Sequence, residues 1–403
     1  MRAALLAVTA SAILLAPAPV TAAGASAGST VRCPRVPAPA MSRPPRPSPP
    51  PAVPEQRAVG GAALATTGLV VPAGVAAPPG VTATSWLVVD LDSGQVLGGC
   101  GPHEYGTPAS VQKLLLAATM LPRLDPKQTV TVTAADMDIE PGSSAVGLVE
   151  GGRYTIETIW LGLLLNSGNE AANALARLGG GGNDATGGVR AMNEQAHHLG
   201  ALQTHAVTPS GLDGKGQFTS AYDLALIARA CFAEPTFRRY VLTEQATIPA
   251  QPKQRTKGFQ IQNENQLIYR YPGALGGKTG FTDLARHTYV GAAERDGRRL
   301  VVTLLGAEPA PKRGWEQGAA LLDWGFTLPR DASVGRLVEP GELTATPSAA
   351  PSVLAAPGAS RPAAASGPGR TGSGRLWSVT ALSGAGVLVL LGGLLWRSRR
   401  RLT

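Results

Sequence analysis

Three short clusters in this 403-residue chain hold side chains that could do chemistry together: Ser110-x-x-Lys113, Ser167-Gly168-Asn169 and Lys278-Thr279-Gly280. A serine and a lysine three residues apart share one face of a helix, so the lysine nitrogen can reach the hydroxyl and take its proton. "TPASVQKLLLAATML" supplies that helix, with Thr107 as its cap and Pro108 at its first position. Ser110 then falls among the first backbone N–H groups, which have no partner inside the helix. One of them can face a developing oxyanion, a charge the positive end of the helix favours. Each cluster alone has a plainer reading. Ser-x-x-Lys occurs at many solvated helix starts, and Ser167 stands in capping-box spacing with Glu170. All three in this order argue for acyl transfer through Ser110.

"GGKTG", Gly276 to Gly280, also invites a nucleotide reading. A phosphate-binding loop needs G-x-x-x-x-G-K-[ST] between a strand and a helix. Pro272 stands where the first glycine is required, and "FTDLARHTYV" after the loop has no helix start. No nucleotide is expected. The five histidines lack metal-ligand spacing, so neither a metal nor another cofactor is expected. The formal charge of +9 lies largely in the tail and linkers, without a basic run interleaved with aromatics. That gives no reason to expect nucleic acid as a partner.

The clusters need a frame. "SWLVVDLDSGQVLGG", Ser85 to Gly99, is apolar around Asp92-Ser93-Gly94 and predicts an opening hairpin. Helical patterns then run from 107 to about 235, including "YTIETIWLGLLLN", "SGNEAANALARLG" and "TSAYDLALIARACF". Strand character returns in "LGGKTGFTD" and "HTYVGAAERDGRRLVVTLLGAE", where Asp296-Gly297 marks a tight turn. "PKRGWEQGAALLDWGF" closes the domain as a helix. Strands from both ends enclose a helical middle. The expected architecture is α/β, an antiparallel sheet packed against an all-helical lobe with a cleft between them.

The ends read differently. Residues 1–27 carry Arg2, an apolar run and then small residues, the pattern of a secretory signal. Residues 28–67 are proline-rich and predict an extended spacer before the domain at 68–330. Residues 331–375 form a Pro/Ala/Gly-rich linker. Residues 376–396, "LWSVTALSGAGVLVLLGGLLW", have no charge and the length of a bilayer span, with Trp377 and Trp396 at its ends. The basic tail 397–403 places that end in the cytoplasm. The expectation is an exported domain, facing the cell wall and held at the membrane by a C-terminal helix.

With its motifs in place, the chain resembles the serine penicillin-recognising enzymes. Within them it is most similar to the low-molecular-mass D-alanyl-D-alanine carboxypeptidases of the S11 peptidase type. "PASVQKLLLA", "LLLNSGNEAANALA", "TPSGLDGKGQFTSAYDLALIARA" and "NENQLIYRYPGALGGKTGFT" carry the resemblance across about residues 84–326. It implies a β-lactamase/transpeptidase-like fold. The reaction implied is removal of the terminal D-alanine from peptidoglycan stem pentapeptides, with β-lactams as covalent inhibitors. Ser110 would be the nucleophile and Lys113 its base. Ser167 would bridge Lys113 and Lys278 and pass a proton to the leaving nitrogen. Asn169 would bond a substrate amide, and Lys278 with Thr279 would hold the substrate carboxylate. Gly280 would let substrate approach the strand, and the N–H groups of Ser110 and Phe281 would hold the oxyanion.

Two departures stand out. "TDLARH" places Arg286 where the family often has glycine, either as an ordinary surface residue or as added positive charge near the carboxylate. The second β-rich domain of many members also has no counterpart after Phe326. The competing functions are a serine β-lactamase, a DD-endopeptidase or transpeptidase on the same fold, and a non-catalytic wall-binding module. No E-x-x-x-N motif supports the first, and three intact motifs argue against the last. Of three cysteines, Cys100 and Cys231 both fall inside the folded region, so a disulfide between them is expected, with Cys33 in the spacer left over.

Overall fold

A computed structural model describes residues 30–39, 44, 45 and 47–344. Its strands are β1 (Leu69–Val70), β2 (Ser85–Asp90), β3 (Gln95–Cys100), β4 (Thr129–Thr131), β5 (Arg153–Thr155), β6 (Gln245–Ile248), β7 (Phe259–Gln262), β8 (Ala274–Thr282), β9 (Arg286–Arg295), β10 (Arg298–Ala307) and β11 (Gly335–Arg336). Its helices are α1 (Pro54–Arg57), α2 (Lys113–Met120), α3 (Ile156–Asn166), α4 (Asn169–Gly180), α5 (Thr186–His198), α6 (Ala221–Ala233), α7 (Pro235–Leu242), α8 (Leu267–Arg270) and α9 (Gly314–Thr327). The main sheet is antiparallel, ordered β1-β3-β2-β10-β9-β8, with β11 added on β3. β4–β5 and β6–β7 are separate two-stranded ribbons.

Local chemistry makes both long hairpins. Asp90 Oδ1 accepts the N–H groups of Asp92 and Ser93, closing the β2–β3 turn. Asp296 and Gly297 both have positive φ, 51° and 68°, the conformation of a two-residue hairpin turn that Asp-Gly favours. Side chains alternate along the central strands. Leu87, Val89, Val301 and Leu305 face a core shared with α2, α3, α4 and α6. Trp86, Val88, Leu300, Val302 and Leu304 face a second core under α9. Both sheet faces are therefore covered, which is why these strands read as unbroken apolar runs. The antiparallel sheet and helical lobe expected from the sequence are both present.

The cysteine pairing differs from expectation. Cys33 bonds Cys100, with Cα atoms 5.9 Å apart, and Cys231 is a buried free thiol. Cys100 belongs to the core under α9, whereas Cys231 on α6 belongs to the core on the other side. The sheet itself separates the expected partners. Cys231 Sγ instead donates to the Leu114 carbonyl at 3.1 Å.

The boundaries at 68 and 330 also need correction. Inside the expected spacer, α1 and a 3-10 turn (Ala62–Ala65) form, and Leu64 is fully buried. Leu69 N donates to Val31 O, and Arg35 bridges to Val81. Prolines forbid long ladders but leave single turns, and the disulfide ties the segment down. At the other end, β11 pairs with β3, and Leu337 and Val338 are buried. The signal at 1–27, the span at 376–396 and the tail at 397–403 lie outside the described residues. Among those described, no helix is long and apolar enough to cross a membrane.

Candidate active site

Ser110 sits in a 3-10 turn, Ala109–Gln112, that runs directly into α2. The helix begins where expected, but Thr107 does not cap it, and Ala109 takes a left-handed φ of 48°. The 208–212 loop presses on this turn from outside. A Cβ on Gly211 would fall 1.9 Å from Ala109 O, so only glycine fits there. Lys113 follows one turn later and is fully buried. Its Nζ lies 2.9 Å from Ser110 Oγ, 2.8 Å from Asn169 Oδ1 and 2.9 Å from Ser210 O. Burial, followed by the nearby Lys278 charge, pushes its pKa well below the usual lysine value, against the pull of Glu170 and Glu264. A neutral amine held against a serine hydroxyl is a general base.

Ser167 and Asn169 come from the α3–α4 junction. Ser167 ends α3 in the left-handed conformation, φ 61°, and Gly168 is the residue that enters α4. The expected capping box is absent. Glu170 instead turns away and accepts the N–H groups of Val146, Gly147 and Leu148. Ser167 Oγ is buried and has no partner among the described residues. The expected bridge between Lys113 and Lys278 is therefore not formed here. Asn169 gives its oxygen to Lys113, while its Nδ2 remains available.

The third cluster lies on β8, the edge strand of the sheet. A Cβ on Gly280 would fall 2.8 Å from Ser110 N and 2.4 Å from Thr288 Oγ1, so the strand edge adjoins the Ser110 amide. Thr288 Oγ1 donates to Pro108 O at 2.8 Å, fixing the turn to the sheet. Lys278 is buried, and desolvation lowers its pKa to about 8, with Glu264 opposing the shift. Its Nζ donates to Thr279 O at 2.7 Å. Phe281 is half-exposed, its ring 4.7 Å from that of His287.

A family model for the S11 peptidases, described as D-alanyl-D-alanine carboxypeptidase, matches residues 73–309. The chain belongs to this family. It is 46% identical over 273 residues to the D-alanyl-D-alanine carboxypeptidase DacB2 of Mycobacterium tuberculosis, covering 66% of this chain and 90% of that protein. A crystal structure of a D-alanyl-D-alanine carboxypeptidase from the same organism superposes with a TM-score of 0.62 at 44% identity, over 66% of this chain and all of that one. The Streptomyces K15 DD-transpeptidase superposes with a TM-score of 0.59 at 27% identity, over 63% of this chain and all of that one.

Against the S11 pattern, Arg286 is not the ordinary surface residue that one reading of the sequence expected. It is 5% exposed, takes a left-handed φ of 58° and pairs with fully buried Glu308, Nε to Oε1 at 3.2 Å. The guanidinium also lies 5.3 Å from the Phe281 ring centre. Three contributors to this S11 site have no sequence signature. The Ser210 carbonyl is backbone, Glu170 reads as a cap, and Glu264 acts through its charge on Lys113 and Lys278.

Proposed function

We propose that this S11 enzyme removes the C-terminal D-alanine of a peptide ending in D-Ala-D-Ala through an acyl-enzyme on Ser110. Neutral Lys113 takes the Ser110 proton as Oγ attacks the penultimate D-alanine carbonyl. The N–H groups of Ser110 and Phe281 receive the oxyanion, in the positive field of a helix start. Ser167 passes a proton to the departing D-alanine nitrogen; its hydroxyl has no competing protein partner among the described residues. Lys278 and Thr279 hold the terminal carboxylate, and Asn169 Nδ2 donates to a substrate carbonyl. Water then cleaves the ester. A β-lactam follows the same first step, forming an ester with Ser110 as its ring opens, with the released amine tethered in the site.

The observation that carries this reading is the buried Lys113 nitrogen 2.9 Å from Ser110 Oγ. Its test is Ser110→Ala, assayed by fluorescent-penicillin labelling and by D-alanine release from a D-Ala-D-Ala peptide. Both signals should vanish from a folded protein, and persistent labelling overturns the assignment. Adding an acceptor amine separates hydrolysis from transfer, the activity named for the Streptomyces K15 neighbour. Residues 1–27 would export the domain and residues 376–396 would hold it at the membrane, facing the peptidoglycan. Truncation before 376 should release an active enzyme into solution.

A further inference from the structure

One loop, residues 207–217 between α5 and α6, touches three parts of the catalytic centre. Its Ser210 carbonyl lies 2.9 Å from Lys113 Nζ. Its Gly211 packs on Ala109 O so closely that no Cβ fits. Its Asp213 Oδ1 accepts the Thr282 hydroxyl at 2.8 Å. The first two contacts hold the base and the turn that carries Ser110. The third reaches the last residue of β8, next to Phe281.

Both ends of that third contact are braced. Gln217 is buried, its Oε1 accepts the N–H groups of Val207 and Thr208, and its Nε2 donates to Leu212 O at 2.6 Å. Thr208 Oγ1 accepts Gly211 N. The loop therefore has a fixed shape. On the other side, Thr282 Oγ1 accepts Ala285 N at 3.0 Å, closing the β8–β9 turn. Side chains alternate along a strand, so positions 278, 280 and 282 share a face. On that face Lys278 is buried, Gly280 lies against the Ser110 amide and Thr282 meets Asp213.

The two N–H groups assigned to the oxyanion come from different parts of the fold. Ser110 belongs to a 3-10 turn, whereas Phe281 belongs to an edge strand with a ladder on one side only. We propose that Asp213 is a positioning residue that holds the Phe281 N–H at the oxyanion through its bond to Thr282. It touches no reacting atom. The inference rests on the Ser110 acyl-enzyme reading and deepens it: the loop that seats the base also sets the spacing between the two oxyanion donors.

The test is saturation kinetics of penicillin acylation, which separates the acylation rate constant from the half-saturating concentration. Asp213→Ala and Thr282→Val each remove the bond, from opposite sides, and melting curves confirm that each variant is folded. The rate constant should fall by about 10–100-fold in each, with half-saturation little changed, as expected when an oxyanion donor is displaced. The double variant should be no slower than Thr282→Val alone, because one bond cannot be lost twice. Asp213→Asn, whose amide oxygen still accepts the hydroxyl, should stay within about 3-fold of wild type. A wild-type rate constant in folded Asp213→Ala or Thr282→Val, losses that multiply in the double variant, or Asp213→Asn as slow as Asp213→Ala overturns the inference alone. A loss confined to half-saturation also overturns it, by making Asp213 a substrate contact. A wild-type enzyme that penicillin does not acylate overturns the acyl-enzyme reading, and the inference with it.

Discussion

Lys113 and Lys278 are two buried lysines in one catalytic cleft, and the charge of the second lowers the pKa of the first. The tasks proposed for them require opposite protonation states. Lys113 must be neutral to take the Ser110 proton, so falling pH protonates it and removes activity. Lys278 must be charged to hold a carboxylate, so activity is lost as pH rises through about 8. The kcat/KM profile, which reports the free enzyme, should therefore be bell-shaped with its alkaline limb near 8. In Lys278→Arg that limb should disappear up to about pH 10, because a guanidinium stays charged. In Lys278→Gln the acid limb should move to higher pH, because Lys113 loses a repelling neighbour. An alkaline limb unchanged in Lys278→Arg excludes Lys278 as its source.

Ser167 combines two features that cost stability. Its hydroxyl is buried without a partner among the described residues, and its backbone is left-handed at φ 61°. The first costs about 1–3 kcal/mol and the second about 1–2 kcal/mol, partly offset by the extra freedom glycine gives the unfolded chain. Ser167→Gly should therefore be as stable as wild type or about 1 kcal/mol more so, while penicillin acylation slows by about 100-fold or more. Thermal melts beside acylation kinetics decide it. A destabilised but fully active variant makes Ser167 a structural residue only.

Legibility in the sequence followed how local the cause was. The Asp296-Gly297 turn and the Ser110–Lys113 pair are set by neighbours along the chain, and both formed as expected. Ser167 and Glu170 had equally local spacing, yet the capping box failed. The N–H groups of Val146, Gly147 and Leu148 took the Glu170 carboxylate first, and that loop is distant in sequence. Cys100 and Cys231 could not be assigned from spacing, because which sheet face a residue meets depends on register. Ser210 acts through its carbonyl, which any residue would supply.

The Cys33–Cys100 bond closes a separation of 67 residues, which stabilises the fold by at most about 4 kcal/mol on the chain-entropy model. The bond itself packs in the core under α9. Replacing both cysteines by serine should lower the melting temperature while leaving penicillin labelling intact. Burial pushes the Cys231 thiol up, so it should resist alkylation until the protein unfolds. One thiol should then titrate without reductant. A Cys100–Cys231 peptide in a non-reducing digest rules this pairing out.

Arg286 and Glu308 set a backbone preference against an electrostatic one. At φ 58° glycine would relax the chain, yet glycine would remove the guanidinium from Glu308, whose side chain is fully buried. Removing one partner of a buried pair costs about 3–5 kcal/mol, more than the 1–2 kcal/mol gained by relaxing the backbone. Arg286→Gly should therefore lose about 2 kcal/mol or more, and Glu308→Gln should recover part of that loss in the double variant. The pair also bears on the site, since the guanidinium lies 5.3 Å from the ring of Phe281, whose N–H is assigned to the oxyanion. Stability alone would leave kcat unaltered in the rescued double variant. A role in holding the end of β8 predicts that kcat stays low after stability returns, with KM little changed. Denaturant unfolding and steady-state kinetics on the three variants give both readouts, and a double variant with restored stability and wild-type kcat confines the pair to folding.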